Sequence, residues 1–102
     1  MVQGISENTL ARMAARFRVL ADASRLAILY CLIGNHEMTV GQVVEAAGRN
    51  QTNVSKHLKL MAEAGLLARR KEGLKVFYRL EDPLWEQVCR LVSSTLPKGT
   101  DE

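Results

Sequence analysis

Cysteine is scarce in this chain of 102 residues, with only two present. Cys31 and Cys89 lie far apart, each within an apolar helical pattern, so a disulfide-stapled scaffold is excluded and reduced thiols are expected. Long apolar runs are missing as well. The richest stretch, residues 26–33, gives way to Gly34, Asn35 and His36, far short of the roughly 20 residues that cross a bilayer. The first residues carry Glu7 and lack the basic start and apolar middle of an export signal, so a cytoplasmic protein with no membrane partner is expected. No glycine-rich phosphate loop, nucleophile elbow or metalloprotease motif occurs. Ser55 and His57 stand close together without a third partner, so an enzyme is the least expected class and no cofactor is implied. Neither an internal repeat nor a low-complexity tract divides the chain.

What is present describes one folded domain. Hydrophobic residues make up 47% and charged residues 25%, which is globular composition and argues against disorder. A net charge of +3 is too mild to identify a polyanionic partner by itself. Its distribution says more: Arg69, Arg70, Lys71, Lys75 and Arg79 are opposed locally only by Glu72.

Hydrophobic spacing predicts five helices and a hairpin, a mainly α chain with a small β wing. Ser6 caps a first helix to about Ala21, striped by Leu10, Met13, Ala14, Phe17 and Leu20. Asp22 caps a densely apolar second helix that Gly34 and Asn35 stop. Thr39 with Gln42 reads as a capping box opening a short third helix that ends at Gly48. A fourth helix runs from about Gln51 to Ala64, with Val54, Leu58 and Met61 inward and Gly65 closing it. Residues 66–71 and 74–80 form two strands joined by Glu72 and Gly73. Asp82 and Pro83 start a last helix carrying Leu84, Trp85, Val88, Leu91, Val92 and Leu96. The expected unit spans residues 1–96, with a flexible tail over 97–102.

Two helices about a tight glycine turn, followed by a basic hairpin, make a winged helix-turn-helix. Around the inward Val54 and Leu58, the fourth helix carries Gln51, Thr52, Asn53, Ser55, Lys56, His57 and Lys59. A helix in the major groove needs amides and hydroxyls near base edges and cations near phosphates. Gln51, Thr52, Asn53, Ser55 and His57 suit the first task. Lys56, Lys59, Arg69, Arg70, Lys71 and Lys75 suit the second. The bland alternative is a solvated helix beside a charged hairpin that deters edge pairing, and it leaves unexplained why both follow a helix-turn-helix directly. A winged-helix module that binds protein is an alternative of another class, since fold alone does not fix function; it would not need the polar helix face or the basic wing.

Ordered motifs now support a resemblance. The runs LADASRLAIL at 20–29, NVSKHL at 53–58, AGLL at 64–67 and VFYRL at 76–80 resemble the ArsR/SmtB family of bacterial repressors over about two-thirds of the chain. The resemblance implies a dimer built from the first and last helices, operator binding that represses transcription, and release by an inducer. The residues support the dimer independently, because the apolar stripes exceed what the monomer core needs. Leu10, Met13, Phe17, Leu84, Trp85, Val88, Leu91 and Val92 would bury across a two-fold axis, although they could instead cap the monomer core. Such a dimer would set paired recognition helices about 34 Å apart on an inverted-repeat operator.

The usual metal sites of the resemblance are missing, for Thr39 and Gly41 stand where its third-helix thiolates would be, and Leu84 stands at a histidine position of its last helix. No metal is therefore expected, although an unusual site completed between subunits is left open. Cys31 and Cys89 are a candidate thiol switch for a redox- or reactive-sulfur-sensing repressor, as some relatives sense reactive sulfur or oxidants through cysteines of the second and last helices. Both positions are offset from those of the relatives, and one residue turns a helical side chain by about 100°; small buried hydrophobes are the plainer reading.

Overall fold

The computed structural model describes residues 2–97. Helix α1 (Glu7–Leu20) follows Ser6, whose hydroxyl accepts from the Thr9 N–H at 3.1 Å. Helix α2 (Ala23–Ile33) follows Asp22, whose Oδ1 accepts from the Arg25 N–H at 3.1 Å. A two-residue strand β1 (Met38–Thr39) leads into α3 (Val40–Ala47) through a complete capping box between Thr39 and Gln42. Helix α4 (Gln51–Glu63) starts on Asn50, whose side-chain oxygen accepts from the Thr52 and Asn53 amides. Each start is fixed by a short polar side chain supplying the acceptor that the first turn lacks.

Helix α4 stops by a Schellman motif. The Leu66 N–H reaches the Met61 carbonyl and the Gly65 N–H reaches that of Ala62, both at 3.0 Å, with Gly65 at φ +84°. The chain thereby turns into β2 (Leu67–Glu72), which pairs with β3 (Lys75–Leu80). Helix α5 (Leu84–Ser94) begins after Pro83, with Asp82 Oδ1 accepting from the Leu84 N–H at 2.9 Å.

The hairpin departs from expectation by one residue. Gly73 and Leu74 form the loop, while Glu72 pairs with Lys75. Glycine at the first loop position, at φ +61°, suits the turn class that matches strand twist, and the shift sets opposite charges across the ladder. Leu74 consequently projects fully into water. The sheet also gains an unexpected third strand: its order is β1-β3-β2, with Met38 opposite Tyr78 and Thr39 opposite Phe77. Two residues carry no periodicity from which that strand could be read.

The core lies where α2, α3, α4 and the sheet meet, around Ile28, Leu29, Val43, Val54, Leu58, Met61 and Leu66, all fully enclosed. From α1 only Leu20 joins it. A radius of gyration of 14.9 Å exceeds the roughly 13 Å of a compact chain this long, because α1 and α5 stand partly off the body. The expected tail, apart from Pro97, lies outside the described residues. Among those residues no helix is long and apolar enough to cross a membrane.

Candidate nucleic-acid interface

Helices α3 and α4, joined by Gly48, Arg49 and Asn50, form the helix-turn-helix. Burial of Val54, Leu58 and Met61 fixes the rotation of α4, so Gln51, Thr52, Asn53, Lys56 and Lys59 face outward. Ser55 and His57 are half-buried on opposite edges of that face, as steps of 100° per residue require. His57 is also engaged: its Nδ1 lies 3.4 Å from a guanidinium nitrogen of Arg25. A partner 32 residues away leaves no local trace, so spacing along α4 alone presents His57 as a free side chain.

The wing divides its cations between two faces. Arg69 and Lys71 stand opposite Tyr78 and Val76, while Arg70 stands opposite Phe77 on the other face. Lys56, Lys59, Arg69, Lys71 and Lys75 are exposed and have no ion partner among the described residues.

Arg70 must be set apart from them. Its guanidinium donates to both oxygens of Glu37, at 3.3 and 2.5 Å, and also to Glu72. It also lies 4.4 Å from the centre of the Phe77 ring. Two carboxylates already match its charge, and these contacts tie the wing to the segment entering α3. The guanidinium holds the Glu37 carboxyl below its usual range, chiefly by hydrogen bonding, and burial opposes this.

A carboxylate with a lowered pKa contributes at neutral pH, and its contribution is lost as pH falls through the folded-state value. The Arg70 Nε–H resonance is therefore expected to sit at a bonded position near neutrality and to move to the free position during acid titration. In Glu37→Gln most of that movement should be missing. A wild-type resonance that stayed constant through the carboxylate range would remove this tie.

The apolar stripes separate by depth. Met13, Phe17, Leu84, Leu91 and Val92 are exposed, and Leu10 and Val88 are half-buried. Trp85 corrects the expected interface set: at 9% exposure it belongs to the monomer core, edge-on to the Phe17 ring with centroids 6.0 Å apart. Beside it, Phe17, Leu26, Tyr30, Val88 and Val92 wall an apolar groove of about 470 Å³.

Cys89 forms part of that groove's wall, whereas Cys31 feels Arg49. Both are free thiols. Burial pushes both up, and for Cys31 the Arg49 charge only partly offsets it. Reactive thiols need the opposite shift, so the pair gains no support as a switch. Thr39 is occupied in capping α3, and Leu84 is an exposed leucine at the start of α5.

Known proteins match this arrangement. A family model for a helix-turn-helix domain covers residues 20–70. The transcriptional regulator KmtR of Mycobacterium tuberculosis is 41% identical over 76 residues, covering 74% of this chain and 55% of its own. The chain thus spans little more than half the length of that relative. The arsenical resistance operon repressor of Bacillus subtilis is 32% identical over 87 residues, covering 85% of this chain and 80% of its own. Among solved structures, a homodimeric winged helix-turn-helix DNA-binding domain from Mycobacterium bovis superposes with a TM-score of 0.78 at 29% identity, covering 91% of this chain and 88% of that one. These relatives are named as regulators and not as enzymes. With the helix-turn-helix, the wing and the matched relatives in agreement, the chain belongs to the ArsR/SmtB family of winged helix-turn-helix transcriptional regulators.

Proposed function

We propose that this chain is a homodimeric repressor that binds an inverted-repeat operator in duplex DNA and leaves it in response to a signal. One observation carries the reading. The outward face of α4 combines short hydrogen-bonding side chains with Lys56 and Lys59, neither of which has an ion partner among the described residues, and the wing adds Arg69, Lys71 and Lys75. Amides and hydroxyls suit base edges, and unneutralised cations suit phosphates. A protein-docking module would have no use for this division of labour.

Apolar side chains left exposed on α1 and α5 support the dimer, as does the homodimeric relative from M. bovis. Such a role belongs in the cytoplasm. Thr39, Gly41 and Leu84 offer no thiolate or imidazole, so neither familiar metal site enters the proposal, and the signal is not assigned.

Salt dependence tests the reading. Each phosphate contact contributes about 0.9 to the slope of log K against log salt. Lys56→Gln with Lys59→Gln removes four contacts from a dimer, so the slope should flatten by roughly 3 to 4. Wild-type affinity that ignored salt, or was equal for selected and random duplexes, would sink the operator reading.

A further inference from the structure

We propose that Arg25 is a positioning residue of the DNA-reading surface, tying α4 to the end of α1 and holding His57 with its proton on Nε2. His57 then offers the duplex a hydrogen-bond donor. This inference rests on the DNA-binding reading above.

The geometry begins in α1, whose last four carbonyls lack partners within the helix. One of them, that of Val19, accepts from Arg25 Nε at 2.5 Å. Arg25 is itself held in the first turn of α2, with its N–H on Asp22 Oδ1 at 3.1 Å and its guanidinium 4.0 Å from Asp22 Oδ2. From that anchored position a second guanidinium nitrogen reaches His57 Nδ1 at 3.4 Å.

The chemistry of this contact has one sense. A guanidinium has five donors, no acceptor and no accessible deprotonated form, so Nδ1 must present its lone pair. A neutral imidazole with a lone pair on Nδ1 carries its proton on Nε2. That nitrogen lies across the ring from Arg25. His57 is half-buried, on the edge of α4 between the enclosed Val54 and the exposed Lys56 and Asn53. An Nε2–H at the edge of a groove-bound helix suits a phosphate oxygen or a purine N7, and it cannot accept from a cytosine amino group. The same guanidinium makes the placement of α4 depend on the end of α1, where Phe17 and Leu20 line the apolar groove.

The test starts with wild-type protein free of DNA. Long-range ¹H–¹⁵N spectra should show His57 Nδ1 unprotonated and Nε2 protonated, whereas a protonated Nδ1, or two averaged nitrogens, would overturn the assignment. Arg25→Met should average the two nitrogens and weaken operator binding about fourfold, roughly a factor of two for each His57 of the dimer whose donor form is half populated. Operators carrying methylphosphonates or 7-deazapurines then separate the two acceptors. One substitution per half-site should weaken wild type about tenfold and leave His57→Ala unaffected; if neither chemistry does so, His57 donates to nothing on the duplex. The wild-type spectrum needs no variant to fold. Failure to select any operator would overturn the DNA reading and with it the donor role of His57, whereas a wrong tautomer with operator binding intact would overturn the role of Arg25 alone.

Discussion

Leu91→Asp is expected to dissociate the dimer and to lower operator affinity by two orders of magnitude or more, while leaving the monomer folded. Leu91 is 69% exposed on α5, so within a single subunit the new carboxylate would sit in water at little cost. In the proposed dimer the same group would be trapped in the apolar α1–α5 interface, where an unpaired charge costs several kcal/mol. The effect on DNA follows from geometry: two linked recognition helices gain about 10² to 10⁴ over one through effective concentration. Sedimentation at micromolar protein, alongside operator titration, measures both consequences. Leu74→Asp is the control, because Leu74 is 101% exposed at the wing tip and should leave the dimer unchanged. If Leu91→Asp sediments as a dimer and binds as wild type does, the α1–α5 face is not the interface.

Much of this fold is written locally, and that part was readable. Ser6, Asp22 and the Thr39–Gln42 pair announce helix starts because each cap bonds within three residues. Val54, Leu58 and Met61 betray the inward side of α4 by spacing alone. What escaped depended on distant partners. Glu37 captures Arg70 across 33 residues, and β1 exists only because β3 offers it an edge. On α5 the apolar stripe revealed a face but not its depth. Steps of 100° put Leu84 and Leu91 about 100 to 120° around the helix from Trp85, so Trp85 enters the subunit's own core while the two leucines look elsewhere. His57 was correctly placed on α4, yet its function as one end of a tie to Arg25 could not be seen without the packing of α2 against α4.

Leu58→Ala should reduce stability by about 3 kcal/mol, within the usual range for a buried leucine, a large share of the 5–15 kcal/mol typical of a domain. The side chain is fully enclosed between Val54 and Met61, where neighbouring helices cannot collapse freely into the space. Because Leu58 fixes the rotation of α4, the cavity weakens the same contact that presents Thr52, Lys56 and Lys59 outward. Operator binding should therefore be retained at low temperature, where the variant is folded, and should fail as it melts. Measured at fixed protein concentration, because dimerisation adds to apparent stability, the midpoint should drop by on the order of 15 °C. Leu60→Ala on the same helix supplies the contrast: at 40% exposure it should cost less than about 1 kcal/mol. Equal losses for the two would mean that α4 is rotated from the position assigned to it. The polar face would then not be the surface turned toward DNA.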